Sequence, residues 1–185
     1  MDVIIKWSFY LYKILPGVSK ITILNDKYVI LVLEKDWVKV VIKILKNKFI
    51  LNSVLDIWCV DYPEKKERFE INYLLVSYKN NLRLILRIYV KDNVGIETIS
   101  DVFASAGWLE REIWDMYGIF FYNNVDLRRI LTDYGFEGFP LRKDFPMSGF
   151  VEIRYDDTEK RIVQEVLEVA QDYRNFNFKS PWEKL

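Results

Sequence analysis

Between Trp108 and Met147 the chain loses its periodicity without losing its aromatic and aliphatic side chains. The first part, Trp108 to Tyr117, carries a helical pattern. Leu109, Ile113 and Met116 fall on one stripe, and Arg111 and Asp115 stand at i and i+4, a spacing that pairs opposite charges on one helix face. Gly118 supplies a C-cap. After Asp126 neither a period of 2 nor one of 3.6 persists, yet Leu, Ile, Tyr, Phe, Arg and Asp stay frequent. A disordered linker is poor in such residues, and a regular strand or helix shows a period. A long ordered segment laid across another surface satisfies both constraints, so the stretch reads as a docking arm. Its cations Arg128, Arg129, Arg142 and Lys143 are balanced by Asp126, Asp133, Glu137 and Asp144. Such balance suits ion pairs across an interface, where arginine's planar fork binds carboxylates bidentately; pairing within the chain is the alternative.

The residues ahead of the arm read as an α+β domain over 1–117, with helices packed on a largely antiparallel or mixed sheet. Val3 to Leu15 is apolar but too short to span a bilayer, which needs ~20 apolar residues. It reads as a short buried helix, or as one that docks on a membrane surface or a partner. Ile21 to Leu24 and Tyr28 to Leu33 form a hairpin around Asn25-Asp26. Asp36 is placed to cap a helix whose apolar stripe is Trp37, Val40, Val41, Ile44 and Leu45, with Lys39, Lys43 and Lys46 on a solvated face. Leu55 to Tyr62 is a strand, and Glu64 to Arg68 a charged loop. Phe69 to Tyr78 and Leu82 to Val90 are strands joined at Lys79-Asn80-Asn81. In the second, Leu84, Leu86, Ile88 and Val90 make one face fully apolar, as in a sheet covered on one side by helices. Ile96 to Phe103 reads as a helix with Ile96, Ile99 and Phe103 inward. Residues 118–185 form an extended arm with one short helix, Thr158 to Tyr173, apolar at Ile162, Val166, Leu167 and Ala170. The terminal Phe176, Phe178, Pro181 and Trp182 are expected to pack on the body or on a neighbour, since a free aromatic tail exposes a large apolar patch.

Several chemistries are excluded by composition. The chain has 27 basic and 27 acidic residues, one cysteine and no histidine. Zero net charge argues against a nucleic-acid binder. Catalytic triads that use histidine are ruled out, as are disulfide frameworks and zinc sites of four cysteines or of two cysteines and two histidines. An iron–sulfur cluster typically needs four ligands. Cys59 lies inside an apolar strand, where a thiol is inert. Glu110 and Glu112 resemble a carboxylate dyad, but residues two apart on a helix point to different sides. Glu112 and Asp115 lack the histidine that completes carboxylate metal sites on helices. Gly135-Phe136-Glu137-Gly138 matches a GxxG loop that clamps RNA backbone, but Glu137 is acidic and the flanking helices are missing. A start at Met1-Asp2-Val3-Ile4-Ile5, with no Arg-rich targeting peptide, suggests function in the compartment of synthesis, and a single reduced cysteine suits cytosol or matrix.

Three stretches resemble one family. They are Glu110-Arg111-Glu112-Ile113-Trp114-Asp115-Met116-Tyr117-Gly118, then Asp126-Leu127-Arg128-Arg129-Ile130-Leu131-Thr132-Asp133-Tyr134-Gly135-Phe136, then Pro140-Leu141-Arg142-Lys143-Asp144-Phe145-Pro146. The family is the 30 kDa subunit of respiratory complex I, together with its counterpart in the bacterial NADH-quinone oxidoreductase. Val60-Asp61-Tyr62-Pro63, Arg68-Phe69 and the ending Phe176 to Glu183 also look like it. Asn124-Val125, Phe139 and Val166 depart from the family's usual His-Pro, His and Pro. The resemblance implies a non-catalytic, hydrophilic subunit in the peripheral arm of the enzyme. It would carry no cofactor itself, with FMN and iron–sulfur clusters in neighbouring subunits. Its partners would be the 49 kDa quinone-pocket subunit and adjacent iron–sulfur subunits, with no nucleic acid, and with the membrane reached only through the complex. Together with the arm reading, it marks Glu110, Arg111, Glu112, Trp114, Asp115, Asp126, Arg128, Arg129, Asp133, Tyr134, Pro140, Arg142, Lys143, Asp144, Pro146 and Trp182 as partner-interface positions. The expected location is the matrix side of the mitochondrial inner membrane, or the cytoplasmic side of a bacterial one.

Overall fold

Four apolar residues in alternation, Leu84, Leu86, Ile88 and Val90, sit at the centre of the fold with almost no exposure. They belong to β5 (Leu82–Val90), the middle strand of a five-stranded sheet in the order β1-β2-β5-β4-β3. The computed structural model describes residues 2–24 and 28–168, with 174, 176, 178, 180 and 182 of the tail, and side chains from residue 5 onward. The chain divides into two compact units, Met1–Phe145 and Pro146–Leu185.

In the first unit, β1 (Val18–Leu24) and β2 (Tyr28–Leu33) pair antiparallel as the sequence suggests. The turn at Asn25-Asp26 lies outside the described residues. β3 (Ser53–Asp61), β4 (Phe69–Ser77) and β5 form an antiparallel meander, with Tyr73 opposite Leu86 and Ile57 opposite Tyr73. β2 joins β5 in parallel, Leu31 beside Leu86, so the sheet is mixed. No described helix is long and apolar enough to cross a membrane.

Several details depart from the sequence reading. α1 (Asp2–Ile14) buries Ser8 and Leu11, but leaves Phe9, Tyr10 and Tyr12 exposed, so it is a surface helix and not a buried one. Asp36 does not cap α2 (Val38–Phe49); it lies in a single 3-10 turn, Lys35–Trp37, and the helix begins without a side-chain cap. Trp37 leaves the apolar stripe because its ring packs over Gly17, where any Cβ would collide with the indole. The buried stripe is therefore Val38, Val41, Ile42, Leu45 and Phe49, and Val40 is exposed. Nor are the α2 lysines simply solvated. Lys39 lies 3.3 Å from both Glu97 and Asp101, and Lys43 lies 3.5 Å from Asp101. Lys46 donates to the Val102 carbonyl at 2.6 Å and sits over the Phe103 ring.

Residues 96–103 are not helical. Ile96 and Thr98 donate their amides to the Phe120 and Tyr122 carbonyls, and the two-residue strands β6 (Ile96–Glu97) and β7 (Phe121–Tyr122) pair in parallel. That pairing fixes the entry to the segment as extended chain. Ile96, Ile99 and Phe103 are nevertheless buried, because tight turns after Ile99 return Phe103 to the same side.

The second unit also differs. Val151–Asp156 (β8) and Arg161–Val166 (β9) form an antiparallel hairpin where a helix from Thr158 was expected. Ile162 and Val166 are four apart, which mimics a helical stripe, but Ile162-Val163 and Val166 are β-branched and favour strands. Arg154 grips Glu165 across the hairpin at 2.7 and 2.8 Å. Residues 169–173 of the expected helix lie outside the described residues. Phe176, Phe178 and Trp182 are exposed among the described residues.

The central position of Leu86 gives a stability test. Leu86→Ala is expected to cost about 2–5 kcal/mol, read as a lower denaturation midpoint at unchanged slope.

Candidate docking site

α3 (Ala106–Tyr117) forms as expected and ends at Gly118, whose φ of 73° and amide bond to the Trp114 carbonyl make a left-handed cap. A Cβ on Gly118 would meet the Phe139 ring at 2.5 Å, so glycine is needed there for space as well as for conformation. The unusual feature of α3 is its buried face, which includes Glu110, Arg111 and Asp115 beside Ala106 and Ile113. Buried charge is costly unless it is fully bonded, and each of the three is bonded to chain that lies outside the helix.

Asp115 accepts the backbone amides of Ile130, Leu131 and Thr132 on one oxygen, at 3.1, 2.7 and 3.0 Å. Its other oxygen takes the Thr132 hydroxyl at 2.6 Å, with Arg129 at 3.7 Å. Successive amides form an anion-binding nest. Burial alone would raise this carboxyl; the Thr132 hydroxyl and the three amides outweigh it and hold it below the usual range. Arg111 does not form the expected pair with Asp115. It donates Nε to the Arg128 carbonyl at 3.1 Å and lies 3.9 Å from Asp126. The i,i+4 charges of α3 are thus divided between two points of the following segment.

Glu110 faces the other way. It accepts the Thr98 hydroxyl, the Ile99 amide at 2.8 Å and the Asn124 side-chain amide at 2.7 Å. These donors are all neutral, so burial dominates and raises its carboxyl above the ordinary value despite the hydrogen bonds. Glu112 is exposed, two residues away and on a different side, so the two glutamates form no dyad.

A second clasp holds residues 139–145. Asp61, buried at the end of β3, takes Arg68 on both oxygens at 2.7 and 2.9 Å and the Lys143 amide at 2.8 Å. Burial opposes its charge, but Arg68 and the Lys143 amide prevail and its carboxyl is lowered. Arg142 donates to the Tyr117 carbonyl at 2.6 Å, reaches Asp92 at 3.2 Å, and lies over the rings of Phe69 and Phe139. Asp144 meets Arg68 at 2.9 Å. Arg129 reaches the Gly138 carbonyl at 2.9 Å, and Leu141 donates its amide to the Met116 carbonyl.

The segment from Asp126 to Phe145 therefore lies on its own chain: Arg129, Arg142 and Asp144 pair with the body, and Asp126 is shared between Arg111 and Arg128. Of the expected interface positions, Glu110, Arg111 and Asp115 are buried inside the chain. Trp114, Arg129, Pro140 and Arg142 are half-buried. Glu112, Asp126, Arg128, Asp133, Tyr134, Lys143, Asp144, Pro146 and Trp182 are exposed. Sequence reasoning gave no role to Asp92 and Thr98, and reached Asp61, Arg68 and Thr132 only through the family resemblance. A buried aspartate ending an apolar strand was the available signal. Among the described residues, no group of three or more Cys, Asp or Glu is placed to hold a metal ion.

The mixed-sheet α+β fold has a solved counterpart. A chain of the membrane-bound sulfane sulfur reductase, an archaeal respiratory membrane complex, matches with a TM-score of 0.67 at 23% identity, covering 79% of this chain and 85% of that one. At that identity the likeness concerns the fold. Residues 31–151 match the family described as respiratory-chain NADH dehydrogenase, 30 Kd subunit. NADH-ubiquinone oxidoreductase subunit 9 of Reclinomonas americana is 53% identical over 145 residues, 77% of this chain and 71% of that protein. A subunit of the NADH-quinone oxidoreductase of Erythrobacter litoralis is 45% identical over 163 residues, 87% of this chain and 65% of its own length. The chain belongs to the 30 kDa subunit family of respiratory complex I.

The clasp predicts a definite pH response. Asp115 and Asp61 have lowered carboxyls, so their contribution is complete above the unfolded aspartate value of ~3.9 and is lost as pH falls through the folded values. Glu110, raised, costs stability above its folded value, and that cost disappears on acidification. The bonds around Arg129 to Leu131 are expected to open below about pH 4, read as faster cleavage at Leu131 by pepsin, a protease that is active in acid. Asp115→Ala should expose the same bonds at neutral pH, at a cost of ~3 kcal/mol.

Proposed function

We propose that this chain is a non-catalytic subunit of the peripheral arm of the proton-pumping NADH:quinone oxidoreductase, docked beside the 49 kDa subunit that lines the quinone pocket. The observation that carries the reading is what the clasp leaves outside. With Arg129, Arg142 and Asp144 paired to the body, the segment after Gly118 presents Val125, Leu131, Tyr134 and Leu141 to solvent, and the second unit presents Met147, Phe178 and Trp182. Large apolar side chains left uncovered in this number mark an interaction surface, and exposed aromatics and arginine are the residues that anchor one. Arg128, 74% exposed and paired among the described residues with Asp126 alone, at 3.0 Å, is the cation best placed to reach a partner. In this reading residues 1–117 are the scaffold and 118–185 the docking arm.

Electron transfer itself belongs to the neighbours, with FMN and iron–sulfur clusters in other subunits. Cys59 is buried in β3, and burial raises its thiol far above the ordinary value, the opposite of a thiolate ligand. Without histidine, the chain cannot supply a four-ligand cluster set. The location is the matrix side of the mitochondrial inner membrane. The cytoplasmic side of a bacterial membrane is the second reading, favoured by the 45% identity to the Erythrobacter protein.

Gentle solubilisation, native separation and mass spectrometry test the assignment. The chain is expected to run with NADH:quinone activity. Trp182→Ala should weaken docking by about 2 kcal/mol, roughly thirtyfold, and Arg128→Glu should lower the assembled fraction too. Turnover per assembled complex should stay unchanged in both. Full assembly with reduced turnover would overturn the non-catalytic reading.

A further inference from the structure

The sheet has two edges, β3 and β1, with α3 packed against the first and α1 against the second. Among the described residues, β1 has a strand on one side only, and its outward amides and carbonyls face no other strand. A bare edge of this kind is a template for another chain. Between that edge and α1 runs an open groove of about 590 Å³, walled by Phe9 and Tyr12 of the helix and by Lys20, Ile21 and Ile23 of the strand. Ile5, Phe9 and Tyr12 recur at i, i+4 and i+7, so one face of α1 is an exposed apolar stripe above the edge. Phe9 is 73% exposed.

Among the described side chains of α1 and β1, the charge has one sign. Lys6, Lys13 and Lys20 are exposed, and none of them forms an ion pair among the described residues. α1 and β1 also lie before residue 31, where the family match begins.

We propose that the β1 edge and the α1 stripe together take an extended, acid-flanked segment of a neighbouring polypeptide as a sixth strand of the sheet. Backbone pairing with β1 supplies affinity without regard to sequence, and alternate side chains supply the specificity. In this geometry, apolar side chains of the incoming strand sit against Phe9, Tyr12 and Ile23, and carboxylates alternating with them on the opposite face meet Lys20. An extended chain suits the site better than a helix, because only an extended chain satisfies the edge's hydrogen bonds. The inference rests on the reading that this chain works inside a larger complex.

Hydrogen–deuterium exchange of β1 in the intact complex and in the isolated full chain tests it. In the complex, the outward β1 amides are expected to exchange about 100-fold more slowly, with β2 unchanged. Lys20→Glu should restore fast exchange at β1 while β2 and β5 remain protected, which separates lost binding from lost folding. With a benzoylphenylalanine in place of Phe9, photo-crosslinking in the complex should map to one Asp- or Glu-bearing segment of a different subunit. Crosslinks to lipid or to a second copy of this chain would overturn the proposal. So would equally fast β1 exchange in both states with the chain present in the complex, an outcome that leaves the subunit assignment standing. Absence of the chain from the complex would overturn both.

Discussion

A buried carboxylate, Asp115, receives three consecutive backbone amides, and the shape of the chain after Gly118 follows from that contact. A charge in the interior is tolerable only when its hydrogen-bonding capacity is filled. Here it is filled by chain and not by solvent: Ile130, Leu131 and Thr132 must present their amides together. An aperiodic segment thereby acquires one conformation without a ladder of its own. Asp61 repeats the device on the Lys143 side, with Arg68 as counter-ion.

The sequence and the structure agree best where burial and periodicity coincide. The β3-β4-β5 meander and α3 are legible because their apolar positions recur with the correct period and their ends carry turn residues or Gly118. They part where tertiary contacts compete with local pattern. Ile96, Ile99 and Phe103 keep helical spacing, but pairing with Phe121 and Tyr122 turns the segment into a short strand and turns. Trp37 has the position of a core residue and is claimed by Gly17. Ile162 and Val166 are consistent with two periods, and only the cross-strand partners Tyr155 and Val151 decide between them.

The site was legible in part for a related reason. Charged residues on α3 could be recognised as important, but their partners could not. Arg111 and Asp115 stand at a spacing that rewards mutual pairing on an isolated, solvated helix. Buried, each gains more from unsatisfied backbone groups nearby, and no local rule encodes where those groups come from. Thr98 and Thr132 are ordinary as letters and decisive as hydrogen-bond donors. The family words carried information that composition and periodicity did not, because they preserve such long-range partners as strings.

The parallel junction between β2 and β5 sets an order on synthesis. β4 and β5 are hairpin neighbours and need only a short loop to close, whereas Leu31 waits for Leu86 across α2 and the whole meander. Closing a long loop is slow relative to closing a short one. As the chain leaves the ribosome, the β1-β2 hairpin is therefore made early and its inner edge stays uncovered until β5 has emerged. The assembled sheet has its most exposed moment in the interval between those two events, and a holding factor that shields apolar strand edges would act there.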